Sequence, residues 1–84
     1  MDEKEDMYEY YKSLSNFPLC MKLRKMRTRI NFTQKQLANK LGVGRITVSQ
    51  WEIGKASPNQ LNFEKIIKFY GLPPHIFVSE CVLT

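Results

Sequence analysis

The sequence contains few of the residues that build metal, disulfide or catalytic sites. Its 84 residues include two cysteines and one histidine. Cys20 and Cys81 are too few for a disulfide framework and lack the spacing of metal ligands, so we predict two reduced, at least partly buried thiols. His75 has no second plausible ligand, which excludes a zinc site. Because paired carboxylates and a phosphate-binding loop are also missing, we predict neither an enzyme nor a bound metal or other cofactor.

Long apolar stretches are missing as well. No run approaches the roughly 18 residues that a helix needs to span a bilayer. The chain begins Met-Asp-Glu-Lys-Glu-Asp, which is acidic where a secretory signal peptide would be basic and then apolar. We therefore expect a cytoplasmic protein without a membrane partner.

Acidic residues are scarce in the middle of the chain. Residues 21–72 carry eleven lysines and arginines against two glutamates, a net charge of +9. Residues 1–20 carry two basic against five acidic side chains, a net charge of −3. A basic domain is the electrostatic pattern expected of a nucleic-acid binder. Since a run of charge is more often only a solvated face, the sign alone is a weak indication.

The periodicity of the apolar residues predicts three helices in the first two-thirds of the chain. Between Pro18 and Ile30 they recur at three- and four-residue spacing, which is typical of an amphipathic helix. Thr33, with Gln36 three positions later, has the capping-box pattern that begins a second helix. Gly42 ends that helix. A third helix follows and extends to Glu52. Gly44 is its N-cap, although glycine caps a helix less effectively than serine or threonine.

The remaining third of the chain also reads as helical. Pro58 marks a loop because proline is not tolerated inside a helix. We predict a fourth helix from about Asn62 to Tyr70, and the apolar residues 76–78 allow a short fifth. The expected fold is all-α, a compact domain of four or five helices over residues 19–78, followed by a tail at 79–84.

The stretch from Thr33 to Glu52 has the layout of two short helices joined by a tight, glycine-containing turn. It opens with Thr-Gln, continues through Leu-Ala to Leu-Gly-Val, and ends in Val-Ser-Gln-Trp-Glu before Gly-Lys and Ser-Pro. In these residues the sequence resembles the Cro and lambda-repressor-like, or XRE, family of helix-turn-helix DNA-binding proteins, over about residues 19–77. The resemblance implies a lambda-repressor-like fold, a double-stranded DNA partner, and a bacterial or phage-encoded protein associated with the nucleoid.

Carried over by position, the resemblance makes the third helix the recognition helix. The base-reading residues that it implies are Arg45, Ile46, Ser49 and Gln50. Arginine can grip the two acceptors of guanine, and glutamine suits adenine. Ile46 departs from the family, which often places a polar residue there. It either packs on a thymine methyl group or completes the core.

The resemblance also implies residues that hold the DNA backbone without reading sequence. They are Gln34, Lys35, Gly44, Thr47, Lys55, Ser57 and Asn59. Gln34 begins a helix, where free N–H groups and the helix dipole attract phosphate. Gly44 stands where the family usually has serine or threonine, so a hydroxyl contact is lost. An ion pair between Arg27 and Glu52 is implied as a structural brace, and Trp51 is expected to pack in the core.

Residues 1–18 form an acidic, tyrosine-rich arm outside the resemblance. Apolar and aromatic residues recur there at near-helical spacing, namely Met7, Tyr10 or Tyr11, Leu14 and Phe17. This spacing predicts an extra helix from about Glu5 to Ser15. Three interpretations stay open: the arm packs on its own core, it forms a dimer or protein-partner surface, or it is disordered. Its acidity also allows it to screen the basic surface when DNA is absent.

The function predicted from these features is sequence-specific transcriptional regulation. We expect a repressor that binds a palindromic operator as a homodimer, since a chain this short has a marginal core. The half-sites would then lie about 34 Å apart. The alternative is an antitoxin- or adaptor-like interaction module in which DNA binding is secondary or lost. The presence of Arg45, Gln50, Gln34 and Lys55 together argues against that alternative.

Overall fold

The structure is a computed structural model that describes residues 3–81, with the side chains of residues 7–77 and Glu80. Six α-helices form this described part of the chain. The helices are α1 (Glu3–Ser13), α2 (Leu19–Arg29), α3 (Gln34–Leu41), α4 (Arg45–Glu52), α5 (Gln60–Tyr70) and α6 (His75–Cys81). These residues contain no strand, so the all-α prediction is confirmed. The ends of the predicted arm and tail, residues 1–2 and 82–84, lie outside the described residues. None of the six described helices is long and apolar enough to cross a membrane.

The boundaries of α3 follow from capping at both ends. The Thr33 hydroxyl accepts a hydrogen bond from the Gln36 backbone N–H at 3.0 Å, and the Gln36 side chain accepts one from the Thr33 N–H at 2.9 Å. This is the predicted capping box. Gly42 ends the helix in the left-handed region, with φ 72°. A residue with a Cβ atom would be strained there, so glycine permits the sharp turn into α4.

The later helices differ from the predictions at their ends. Residue Asn59 caps α5, because its side-chain oxygen accepts a bond from the Asn62 N–H at 2.9 Å. The helix therefore begins at Gln60, two residues before the predicted start. The predicted short fifth helix is present as α6 and runs past Val78 to Cys81.

The helix of the acidic arm lies on the same core as the motif helices. Of the residues predicted to form its apolar stripe, Met7, Tyr11 and Leu14 are buried, whereas Phe17 is exposed. They share one cluster with buried side chains of α2 to α6, among them Met26, Leu37, Val48, Trp51, Phe63 and Ile76. In one chain, therefore, α1 packs against its own domain, as the first of the three interpretations expected.

A buried polar cluster fastens α6 to α1 and α2. The Lys22 ammonium lies 2.7 Å from Glu80 Oε2, and the two side chains are only 11% and 10% exposed. The Tyr11 hydroxyl donates to the same carboxylate oxygen. Burial, reinforced by Glu80, raises the pKa of Tyr11 above its ordinary value. The phenol therefore stays protonated and serves as a donor to the carboxylate.

Candidate nucleic-acid interface

Helices α3 and α4 are held together by small and apolar side chains at a tight turn. The Val43 N–H donates to the Ala38 carbonyl at 3.0 Å, which closes the turn after α3. Ala38 is 2% exposed, so a larger side chain would not fit there without moving the backbone. Leu37, Leu41 and Val48 belong to the same buried cluster. The turn and this packing fix the direction in which α4 projects.

One face of α4 is buried and the opposite face is open to solvent. Val48 is 1% exposed, and Trp51 and Glu52 are also buried. Arg45 is exposed and Ile46 is 62% exposed. The interpretation in which Ile46 completes the core is therefore wrong, because the residue lies on the outward face. Half-buried residues along the edges of that face are Thr47, Ser49 and Gln50.

A bidentate ion pair connects the end of α4 to α2. Arg27 Nε donates to Glu52 Oε2 at 2.7 Å, and Arg27 Nη2 donates to Oε1 at 3.0 Å. Arg27 Nη1 also donates to the Phe32 carbonyl at 2.6 Å, in the loop before α3. The side chains of Arg27 and Glu52 are 12% and 2% exposed. The hydrogen bond to Glu52 raises the pKa of Arg27, so the guanidinium remains charged.

Gln34 extends this ion pair toward the exposed face of α4. Its side-chain N–H donates to Glu52 Oε1 at 3.0 Å, and its side-chain oxygen accepts from Arg45 Nη1 at 3.5 Å. The sequence resemblance implied a phosphate contact for Gln34 and indicated neither of these two hydrogen bonds. Gln34 and Glu52 are 18 positions apart, so no helical spacing could have revealed the bond. The result is a chain of polar contacts from the half-buried Arg27 to the exposed Arg45.

The other predicted backbone contacts lie at the two ends of α4. At its start, Gly44 caps the helix without a side-chain bond. After its end, the N–H groups of Lys55 and Ala56 donate to the Gln50 carbonyl at 3.0 and 3.2 Å. The loop that carries Lys55 and Ser57 is thereby folded back onto α4. The side chains that this arrangement leaves exposed are Lys35, Lys55, Ser57 and Asn59.

The hydroxyl group of Tyr70 is an unexpected feature beneath the interface. It is buried and has no hydrogen-bond partner among the described residues. Burial, and to a smaller degree the negative charge of Glu52, raises the pKa of Tyr70 above its ordinary value. The sequence predicted Tyr70 only as the end of the fourth helix, because periodicity does not distinguish a tyrosine from a phenylalanine.

The fold and this arrangement define a helix-turn-helix DNA-binding domain, in which one short helix is presented outward on a second. A helix-turn-helix family profile matches residues 23–77. The chain belongs to this family, of the XRE type, as the sequence resemblance predicted.

Named relatives are found among regulators of bacteria, phages and archaea. An HTH-type transcriptional activator of Enterococcus faecalis, BcrR, is 45% identical over 61% of this chain and 25% of its own length. The cryptic phage CTXphi transcriptional repressor RstR of Vibrio cholerae is 39% identical over 70% of this chain and 53% of its own. An uncharacterized HTH-type regulator of Methanocaldococcus jannaschii is 43% identical over 70% of this chain and 91% of its own.

The chain thus spans about a quarter of the activator and about half of the phage repressor. No solved structure matches it significantly.

Proposed function

We propose that this chain is a sequence-specific DNA-binding transcriptional regulator that acts as a repressor at a palindromic operator. The observation that carries the proposal is the outward face of α4, whose exposed Arg45 and Ile46 are backed by a fully buried opposite face. A helix held in this way can enter the major groove, which is about 12 Å wide. The names of the relatives, two regulators and a phage repressor, support regulation of transcription.

The base-reading roles follow from side-chain chemistry on that face. Arg45 presents parallel donors to the two acceptors of guanine, and Gln50 can donate to and accept from adenine. Ile46 packs on a thymine methyl group, since an exposed isoleucine gains from any apolar contact. Ser49 accepts or donates at the edge of the same face. Gln34 keeps the Arg45 guanidinium directed outward by accepting a hydrogen bond from it.

Backbone contacts on either side of α4 position the duplex. At one side, the N-terminus of α3 brings free N–H groups and Lys35 toward a phosphate. The cap at Gly44 and the neighbouring Thr47 lie where α4 enters the groove. On the other side, the loop folded onto Gln50 supplies Lys55 and Ser57, and the side-chain amide of Asn59 can still donate while its oxygen caps α5. These contacts set orientation and supply salt-dependent affinity.

A homodimer suits the dimensions of the molecule. The described part of the chain measures 33 × 29 × 21 Å. Two copies side by side would place their recognition helices close to the roughly 34 Å that separates successive major grooves on one face of DNA. This geometry supports a two-fold symmetric site.

Selection from a random duplex library at two salt concentrations tests the proposal. The expected result is enrichment of a two-fold symmetric sequence at both concentrations, with weaker retention at the higher one because counterion release contributes less. Retention without sequence preference would contradict sequence-specific regulation. A complete lack of retention would instead favour the alternative of a protein-interaction module.

A further inference from the structure

A basic depression lies on the molecule between the end of α3 and the second half of α5. It has a volume of about 500 Å³ and is lined by Lys40, Lys65 and Lys68 around Leu41 and Phe69. The floor is apolar, because Leu41 is buried and Phe69 is half-buried. We call these five residues the lysine depression. It combines three positive charges with an apolar surface, and the proposed DNA contacts use none of its residues.

The position of the lysine depression disfavours the DNA backbone as its occupant. Asn59, the proposed backbone contact, caps the start of α5, whereas Phe69 lies near its end, about 15 Å away at 1.5 Å per residue. The apolar floor suits a side chain rather than a sugar. These features fit an acidic polypeptide that carries an apolar residue.

Acidic side chains elsewhere in the described part of the chain are already engaged. Glu9 pairs with Lys12 at 3.1 Å, and Glu64 accepts a hydrogen bond from Gln60 at 3.3 Å. Glu52 and Glu80 belong to the two buried ion pairs. The remaining acids of the sequence are concentrated in residues 1–6, Met-Asp-Glu-Lys-Glu-Asp, whose side-chain charge is −3. This segment also begins with an apolar methionine.

We propose that the lysine depression binds the acidic segment, residues 1–6, of a second copy of this chain. Each copy offers one acidic segment and one lysine depression, so a reciprocal exchange about a two-fold axis closes a dimer with two identical contacts. Met7, the next residue, is buried in its own chain, so the proposed dimer leaves the packed part of each α1 on its own domain. The contact is electrostatic, exposed and therefore sensitive to salt. It does not depend on the proposed DNA-binding function.

Two charge-reversal variants of the full chain test this proposal by sedimentation velocity. The patch variant carries Lys65→Glu and Lys68→Glu, and the arm variant carries Glu3→Lys and Glu5→Lys. In either variant alone, like charges face each other. We expect the dimer dissociation constant to rise about tenfold or more for each, and the wild-type dimer to weaken in high salt.

A mixture of the two variants gives the decisive measurement. In a reciprocal dimer both contacts pair opposite charges again, so the mixture should associate nearly as tightly as wild type. If the mixture stays weak and only the chain that combines all four substitutions regains wild-type self-association, the segment folds back on its own chain and the proposal is wrong. Loss of DNA affinity in the patch variant with unchanged self-association would assign the depression to DNA and also overturn it.

A matched control separates this contact from a general change in charge. The substitutions Lys12→Glu and Arg24→Glu alter the net charge by the same amount at exposed positions outside the depression. Self-association should then stay within about twofold of wild type, since screening weakens exposed charges beyond a Debye length of about 8–10 Å. If the control weakens the dimer as much as the patch variant, association responds to total charge and the proposal is overturned.

Discussion

Two ion pairs among the described side chains are largely buried and have the same shortest distance, 2.7 Å, but they have different surroundings. The pair Arg27–Glu52 lies within the residues that match the family, whereas Lys22 and Glu80 both lie outside them. Arg27 spreads three hydrogen bonds over Glu52 and a backbone carbonyl. Lys22 and Tyr11 instead meet at one oxygen of Glu80.

This difference indicates what each pair does. Gln34 continues the Arg27–Glu52 pair to Arg45 at the proposed DNA surface. The Lys22–Glu80 pair ends at α1 and α6 and reaches none of the residues proposed to contact DNA. We infer that the first pair orients the recognition helix and that the second fastens a terminal helix.

Breaking the first pair should have the largest effect on stability. Arg27→Ala leaves the Glu52 carboxylate buried without its counter-ion, and removing one partner of a buried pair costs about 3–5 kcal/mol. Urea unfolding followed by circular dichroism measures the loss. The double variant Arg27→Met/Glu52→Leu should recover much of it, because neither charge is then left unpaired. A loss below about 1 kcal/mol in Arg27→Ala would mean that water already solvates Glu52.

Breaking the second pair should cost less and leave DNA binding intact. We expect Glu80→Gln to lower the free energy of unfolding by about 1–3 kcal/mol, since Lys22 can move its flexible ammonium group toward water. The affinity for a selected operator, measured by fluorescence anisotropy below the unfolding transition, should stay within about twofold of wild type. If Glu80→Gln weakened DNA binding as strongly as it weakened folding, the two pairs would not be functionally separate.

At the proposed DNA surface, two substitutions should separate base recognition from contact with the DNA backbone. Arg45→Ala should cost about 1–3 kcal/mol of binding to the operator and relax the preference at one base position. Lys55→Ala should weaken all sequences alike and reduce the slope of log affinity against log salt by about one. Competition binding with single-base operator variants at several salt concentrations measures both effects. Identical behaviour of the two variants would contradict the assigned roles.

The sequence predicted local structure better than it predicted polar contacts over long range. The turn of the motif was predictable because Thr33, Gln36 and Gly42 act on neighbouring backbone groups. The start of α5 was misplaced because the capping strength of Asn59 was overlooked. The bond from Gln34 to Glu52 spans 18 positions and that from Lys22 to Glu80 spans 58. Such pairings depend on how helices pack, and no periodicity within one helix records them.

The burial of side chains on α4 shows the same limit within the interface. Trp51 was expected to pack in the core, and Val48, three positions earlier on the same helix, is buried with it. Ile46 is apolar, so composition alone allowed either the core or the DNA surface. Its position on the outward face depends on how α4 packs against α2 and α3. The outward isoleucine therefore could not be assigned before the packing was known.

The smallest effect is expected at Tyr70, which lies behind the first ion pair. Its buried hydroxyl has no partner in the described residues, so Tyr70→Phe removes a desolvated group without breaking a hydrogen bond. At neutral pH the free energy of unfolding should change by less than about 1 kcal/mol, and the change can be stabilising. Urea unfolding at pH 7 measures it, with Tyr10→Phe, at a partly buried site, as the control.

Alkaline pH makes this prediction more discriminating. Burial raises the pKa of Tyr70 in the folded state, whereas in the unfolded chain it ionises near its ordinary value of about 10. The contribution of protonated Tyr70 to the free energy of unfolding is therefore complete below pH 10. It is lost as the pH rises above 10, because the Tyr70 hydroxyl of the unfolded chain loses its proton before that of the folded chain. Tyr70→Phe should make unfolding less sensitive to pH above 10, and Tyr11→Phe should act in the same direction while also losing its bond to Glu80. An unchanged alkaline slope in Tyr70→Phe would mean that the Tyr70 hydroxyl ionises at the same pH in the folded and unfolded states. Glu52 would then be more accessible to solvent than its burial in the pair with Arg27 implies.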